Sequence, residues 1–75
     1  SVEDKILNGE LKSILRANMV HLNKQQLLVL QLYYVEELNV YEIAEIISVS
    51  TGRVSQIKSA AIKELRKAIE SEVNA

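Results

Sequence analysis

Cysteine and proline are absent from this 75-residue chain, and glycine occurs only twice. Without cysteine, neither a disulfide nor a thiolate metal site can reinforce the modest core that a single domain of this size can build. No apolar run approaches the ~20 residues of a membrane-spanning helix, and the amino end lacks the basic-then-apolar order of a signal peptide. These absences exclude a disulfide-stapled secreted scaffold and predict one soluble, cytoplasmic domain, residues 1–75, without a linker.

Groups suited to catalysis are also scarce. His21 is the only histidine, no cysteine can act as a nucleophile, and the acidic residues do not have the spacing of a metal site. We interpret His21 as a loop or rim residue and the Glu36–Glu37 pair as a solvated helix end. The sequence therefore predicts a protein that is not an enzyme and that uses neither a metal nor a cofactor. Because the chain begins at Ser1 and not at a methionine, we also expect it to be a fragment of a larger protein.

The formal net charge is only −1, but the charge is unevenly distributed. Residues 50–67 contain five basic residues and one acidic residue, whereas residues 1–49 contain four basic and seven acidic residues. Positive charge is thus concentrated near the carboxyl end, where one helix face would suit contact with phosphates. The weak total charge predicts weak nucleic-acid binding by the isolated domain.

Hydrophobic periodicity predicts an all-α fold, a small domain of four helices. The first helix is expected over residues 2–18, with a capping box formed by Ser1 and Asp4 and a local weakness at Gly9. Its apolar stripe consists of Ile6, Leu7, Leu11, Ile14 and Leu15. Because this stripe is narrow, the helix is expected to lie on the surface of the bundle.

The second helix is expected over residues 24–37, capped by Asn23 with Gln26 in the reciprocal position. It is apolar on nearly all sides, so we expect it to be the central and most buried helix. Its length and cap favour a helix over a strand. One stripe consists of Leu27, Leu30, Tyr34 and Leu38, and Leu28, Leu32 and Val35 widen it. Tyr33 and Tyr34 are interpreted as packing residues.

A helix-turn-helix is predicted over residues 39–66. Asn39 and Glu42 form a capping box for a short third helix over residues 40–47, whose inward residues are expected to be Ile43, Ile46 and Ile47. Residues 48–50 form the turn, with Val49 as an apolar plug between the helices. Ser50 then caps a fourth helix that runs from Thr51 to Glu70 or beyond. In this arrangement one helix braces while the next enters the DNA major groove.

The fourth helix has an apolar face and an opposite polar face. At ~100° per residue, the apolar face consists of Val54, Ile57, Ala61, Leu65 and Ala68. The opposite face is centred on Gly52, Gln56, Ser59 and Lys63, and is flanked by Arg53, Ser55, Ala60, Arg66 and Lys67. Lys58 falls at the boundary of the core, where an acidic partner is expected.

The chemistry of the polar face suits the major groove. Glutamine can make a bidentate contact to adenine, arginine to guanine, and serine to either base. The small residues Gly52, Ser55, Ser59 and Ala60 let the helix backbone approach closely. Lys63, Arg66 and Lys67 lie further along and are better placed for phosphates, which add affinity without sequence information. Free backbone amides at the start of the third helix, and at the start of the fourth helix, which Ser50 caps, offer further phosphate contacts.

Residues 28–69 also resemble a known family. The segments YY-x-EEL, EI followed by a VS turn, and RVSQI are similar to those of the carboxyl-terminal domain, region 4, of a bacterial sigma factor, most of all the flagellar type. The similarity extends from about Leu22 to Ile69 and includes the helix that precedes the helix-turn-helix. The first helix lies outside the strongest match, and the resemblance gives it no role.

The resemblance implies a promoter-recognition domain that reads the upstream (minus thirty-five) element while RNA polymerase holds it. Carried over by position, the base-contacting residues are Thr51, Gly52, Arg53, Ser55 and Gln56. The start of the preceding helix, at Asn39, Val40 and Tyr41, resembles the part that grips phosphates. The implied partners are promoter DNA, the flap of the polymerase β subunit and an anti-sigma protein.

The chain departs from the family pattern in several places. It has Asn23, Gln25 and Gln26 where L-P-x-R-E is usual in the family. Gly52 replaces a larger polar residue, and Ala60 stands where a basic residue is common. These departures predict weaker direct readout or an altered target. Two alternatives therefore stay open: the DNA-binding domain of a response regulator, which usually dimerises whereas we expect a monomer here, and a module that only receives a regulatory protein.

Overall fold

Helices and helical turns make up the regular secondary structure of residues 10–73, the part of the chain that the computed structural model describes. The helices are α1 (Leu11–Ala17), α2 (Lys24–Leu30), α3 (Val40–Ile47) and α4 (Thr51–Val73). A short 3-10 turn, Met19–His21, precedes α2, and a π-helix, Gln31–Val35, extends it. No helix within residues 10–73 is long and apolar enough to cross a membrane. The all-α class is confirmed, whereas the cap at Ser1, Gly9 and the rest of the first helix before residue 10 lie outside the described residues.

Side-chain caps define the amino ends of α2, α3 and α4. Asn23 Oδ1 accepts from Gln26 N at 2.8 Å, and Gln26 Oε1 accepts from Asn23 N at 3.0 Å. Asn39 and Glu42 form the same box, at 2.9 and 3.1 Å, and Ser50 Oγ accepts from the amide three residues on at 3.1 Å. Each bond satisfies an amide that the first turn leaves without a carbonyl partner. These three predicted caps are confirmed, as are both boundaries of α3.

Two clusters of buried side chains form the core. The first cluster consists of Ile14, Leu15, Leu22, Leu30, Ala61, Ile62 and Leu65. The second cluster consists of Val29, Ile43, Ala44, Val54 and Ile57. As expected of a central helix, α2 reaches both clusters, through the fully buried Leu30 and Val29. The last helix, α4, also spans both clusters and supplies more of their side chains. Leu28 is 41% exposed, since it lies about 160° around the helix from the buried Leu30.

The carboxyl end of α2 differs from the continuous α-helix predicted through residue 37. Glu36 N donates to Gln31 O at 3.0 Å, which spans five residues where an α-helix spans four. Leu38 N then donates to Leu32 O at 3.0 Å, and Glu37 between them has a left-handed φ of 59°. This wider turn ends the helix and reverses the chain toward α3. A run of apolar residues gives no sequence signal for it, because α and π turns would bury the same residue types.

The turn between α3 and α4 depends on one left-handed residue. Ser48 has φ 59° and ψ 47°, and its N–H donates to Ala44 O. Val49 N also donates to Ala44 O, at 3.0 Å, which is the six-to-one bond of a Schellman motif, so this carbonyl at the end of α3 accepts both amides. Val49 packs against the second cluster, which confirms its predicted role as a plug.

Ile46 does not face inward as predicted, and is 57% exposed. The buried face of α3 is formed by Ile43 and Ala44, with Ile47 partly buried beside them. At ~100° per residue, this places Ile46 roughly 110° from the centre of that face. The three isoleucines alone do not define the inward face of α3, because the small Ala44 is buried in the second cluster beside Ile43.

We expect replacement of Ser48 by glycine to stabilise the fold. A left-handed conformation costs a residue with a Cβ ~1–2 kcal/mol, and glycine removes this cost. Glycine loses more backbone entropy on folding, which offsets about 0.5–1 kcal/mol of the stabilisation. Chemical denaturation of Ser48→Gly should therefore give an unfolding free energy about 0.5–1 kcal/mol above that of the unmodified chain. Ser59→Gly, the same change inside α4, is the control and should lower it. A loss of stability in Ser48→Gly would contradict the role given to the turn.

Two isoleucines of α3 should respond differently to the same substitution. Ile43 is fully buried, so Ile43→Ala should cost about 2–5 kcal/mol through lost burial and the cavity left behind. Ile46→Ala should change the unfolding free energy by less than about 0.5 kcal/mol, because its side chain is mostly solvated. Urea denaturation of both variants, read by circular dichroism, measures the difference. Similar costs at the two positions would show that the orientation of α3 is wrong.

Candidate nucleic-acid interface

The exposed face of α4 lies opposite the stripe that holds the helix in the core. Val54, Ala61 and Leu65 are fully buried, and Ile57 is nearly so. These four residues fix the rotation of α4 about its axis. The predicted polar residues on the other side are exposed, namely Gly52, Arg53, Ser55, Gln56, Ser59, Lys63, Arg66 and Lys67.

The six candidate base-contacting residues fall within the first three turns of α4. Thr51 is half-buried beside the turn, and the other five are exposed. Gln56 and Ser59 lie three residues apart, so they occupy the same side of the helix one turn from each other. Arg53 precedes Gln56 by the same spacing. The result is a row of an arginine, a glutamine and a serine with solvent in front of it.

The amino ends of α3 and α4 differ in their electrostatics. At α4 the cap is the neutral Ser50, whose Oγ accepts a hydrogen bond from the backbone N–H of Arg53, and no acidic residue stands in the first turn. At α3 the Glu42 carboxylate accepts a hydrogen bond from the backbone N–H of Asn39. A helix amino end attracts anions, but a carboxylate already placed there opposes a second one. The start of α4 is therefore the better place for a phosphate.

The other α3 candidates have different surroundings. Tyr41 is 73% exposed. Val40 packs against the second cluster, so its backbone amide, at the first helical position, is the group that can meet a phosphate. Asn39 is exposed, but its Oδ1 is already bound to Glu42 N. Its backbone amide is bound to Glu42 as well, so the group that Asn39 can offer is its side-chain Nδ2, whereas Tyr41 offers its exposed side chain.

Three basic residues continue the exposed face beyond the candidate base contacts. Lys63 lies about 10 Å along the axis from Gln56, at 1.5 Å of rise per residue. Arg66 and Lys67 follow in the next turn. Lys67 Nζ is 3.7 Å from Glu64 Oε1, with 63% and 43% of the two side chains exposed. Such a pair contributes little and is easily exchanged for a phosphate.

Lys58 has a different partner from the one predicted. It lies at the core boundary as expected, but its Nζ stands 4.0 Å from the ring centroid of Tyr33 and not beside an acid. The Tyr33 ring meets the Tyr34 ring edge-on, with centroids 4.8 Å apart and planes at 73°. Both rings also pack against the core clusters, which confirms their interpretation as packing residues. A cation–π partner has no spacing signature across two helices, so the sequence could not show it.

A second surface feature was not predicted at all. Between α1 and α2 lies an open groove of about 330 Å³, lined by Lys12, Leu15, Arg16, Met19, Leu27, Gln31 and Val35. Met19 is 56% exposed there, and the neighbouring Val20 is 85% exposed. The available signal was the apolar Met19–Val20 pair in a loop. Among residues 10–73, no three His, Asp or Glu side chains come together where they could hold a metal ion.

Known proteins with similar sequences fall in one family. Residues 19–67 match the family described as Sigma-70, region 4. RNA polymerase sigma-D factor of Bacillus subtilis is 38% identical over 68 residues, which is 91% of this chain and 27% of that protein. RNA polymerase sigma factor FliA of Salmonella typhimurium is 44% identical over 62 residues, or 83% of this chain and 26% of that protein.

FliA of Escherichia coli K12 is 42% identical over 62 residues, again 83% of this chain and 26% of that protein. No solved structure matches. The chain thus spans about a quarter of the length of these relatives. Their names support the flagellar type that the sequence resembles, and the family differs from the response-regulator alternative. The match begins at Met19, so α1 lies outside it. By this match and these identities, the chain belongs to the sigma-70 region 4 family.

Proposed function

We propose that this chain is the promoter-recognition domain of a flagellar-type sigma factor and reads the upstream (minus thirty-five) element through α4. The observation that carries the proposal is the exposed row of Arg53, Gln56 and Ser59 on a helix whose rotation the core fixes. These residue types match the donors and acceptors of base edges in the major groove. The sigma-70 region 4 match supports the same assignment.

Base contacts and phosphate contacts divide along α4 in this proposal. Thr51, Gly52, Arg53, Ser55, Gln56 and Ser59 face the bases. The starts of the two helices, at Asn39, Val40, Tyr41 and Ser50, and the side chains of Lys63, Arg66 and Lys67 face the phosphates. At Asn39 the donor is the side-chain Nδ2, because its backbone amide and its Oδ1 are bound to Glu42. The neutral Ser50 cap makes the start of α4 the principal amide site, because no carboxylate competes there. Phosphate contacts position the helix, and base contacts provide the sequence preference.

Affinity in this proposal comes largely from RNA polymerase. A net charge of −1 gives little of the long-range attraction on which most DNA-binding proteins depend. The groove between α1 and α2 offers an apolar floor with Lys12 and Arg16 at its rim. We assign it to the polymerase β flap. We assign the exposed Val20 and Leu28, which do not line the groove, to the surface that an anti-sigma protein covers. The isolated domain is a cytoplasmic monomer in this reading.

Selection of duplexes by the full-length protein bound to polymerase tests this function. A library randomised over the upstream element should yield one enriched sequence with wild-type protein and a different or weaker one when Gln56 is alanine. If Gln56→Ala and Arg53→Ala each enriched the wild-type sequence to the same degree as wild-type protein, α4 would not read bases. The remaining explanation would then be a module that only receives a regulatory protein, which the small Gly52 and Ala60 on the exposed face favour.

Gln56 and Lys63 should affect binding in different ways. Gln56→Ala should cost ~1–3 kcal/mol at one base pair and leave other positions unchanged. Lys63→Ala should weaken binding to all duplexes alike and reduce the slope of log K against log salt by about 0.9. Fluorescence anisotropy with single-base duplex variants at several salt concentrations measures both effects. Uniform weakening by Gln56→Ala would make that residue a phosphate contact.

Gly52→Ala should raise stability and lower DNA affinity together. A Cβ at position 52 would meet only Ser50 Oγ, at 4.0 Å, so alanine should add about 0.5–1 kcal/mol through its helix propensity. The same methyl group would stand between the helix backbone and the groove. Thermal denaturation and anisotropy give the two readouts. Ser13→Ala, on the exposed side of α1, is the control and should gain stability without losing DNA affinity. If Gly52→Ala bound DNA as tightly as the unmodified chain, the helix backbone at position 52 would not approach the groove closely.

A further inference from the structure

Lys58 differs from the other basic residues of α4 in its surroundings. Arg53, Lys63, Arg66 and Lys67 are exposed, whereas Lys58 is half-buried. Its position lies about 160° around the helix from Gln56, because two residues advance an α-helix by ~200°. An amine on that side cannot enter the groove that Gln56 faces.

The partner of Lys58 belongs to another helix. Its Nζ is 4.0 Å from the centroid of the Tyr33 ring, within the range of a cation–π interaction. Tyr33 lies in the π-helix that extends α2. The contact therefore joins α4, two residues beyond Gln56, to the end of α2.

The Tyr33 ring is itself held on two sides. It packs against the second cluster, and its edge-on neighbour Tyr34 packs against the first cluster. The π turn thus directs two successive tyrosines to the two halves of the core. Such a ring is a fixed platform, so a cation placed over it is fixed relative to both clusters.

We propose that Lys58 is a positioning residue: through the ring of Tyr33 it holds α4 at the rotation that presents Arg53 and Gln56 to the bases. This inference rests on the proposed DNA-binding function and deepens it. Lys58 contacts neither base nor phosphate in this assignment. The buried stripe of α4 sets its rotation to within a few degrees, and Lys58 removes the freedom that remains. Its loss lowers sequence preference, because a rotation of that size misaligns the bidentate contacts on the far side of the helix.

The first experiment measures the platform without DNA. Carbon and proton chemical shifts of the Lys58 Cε group in the 75-residue chain should move upfield through the ring current of Tyr33. Tyr33→Leu should abolish this shift, and Tyr33→Phe should keep it. Lysine side chains without a ring neighbour, such as that of Lys63, give the reference value. A Lys58 shift equal to the reference would overturn the inference.

The second experiment measures DNA binding by Lys58→Met, which keeps the apolar stem and removes the charge. Affinity for the duplex enriched by wild-type protein should fall by about two- to fivefold, the lower end of the range expected for a half-buried cation–π contact. Affinity for a random duplex and the salt slope should stay unchanged. Lys58→Arg, which can also stack on the ring, should restore the preference. Lys63→Met is the matched control, and should weaken both duplexes and lower the slope by about 0.9.

Double substitution separates positioning from general instability. If Lys58 acts through the ring, Lys58→Met combined with Tyr33→Leu should lose no more sequence preference than Tyr33→Leu alone. Additive losses would overturn the inference, and so would a salt slope lowered by Lys58→Met, which would make Lys58 a phosphate contact. Failure of the proposed function has a different signature: wild-type protein would prefer no duplex although the upfield shift persists, and the positioning role would then be excluded as well.

Discussion

The rest of the structure depends on the burial of one face of α4. Val54 and Ile57 lie in the second cluster, and Ala61 and Leu65 lie in the first. A helix that contributes to both clusters cannot rotate without exposing apolar surface to water, at a cost of ~25 cal/mol for each Å². The same burial that holds the small core together therefore fixes which residues of α4 face solvent, and with them the candidate interface.

The turn before α4 adds a second constraint, because it sets the direction of α4 relative to α3. Ser48 adopts a left-handed conformation, and two amides converge on Ala44 O, so α3 ends abruptly. Ser50 then starts the next helix with a side-chain cap. Because Val49 between them packs against the second cluster, the turn is tied to the core on its apolar side. The angle between α3 and α4 follows from these local bonds and not from a flexible loop.

Charge on this domain is arranged for contact at short range. Lys63, Arg66 and Lys67 stand on one exposed face, while the amino-terminal part carries an excess of acidic residues. At physiological salt the field of exposed charges is screened beyond about 8 Å. A face of this kind contributes once it is already near DNA, which suits a domain that a larger assembly delivers to its target. The family and the size of its named relatives fit that role.

Several features follow from the sequence by itself: the all-α class, the three caps, the bounds of α3 and the inward stripe of α4 depend on local hydrogen bonds and helical periodicity, which neighbouring residues specify. Other features were decided by tertiary structure. Ile46 faces water because Ala44 packs closer, α2 widens into a π turn between the two clusters, and Lys58 meets Tyr33 across two helices. Each of these depends on which surfaces meet after folding, and periodicity along one helix holds no information about the shape of the next.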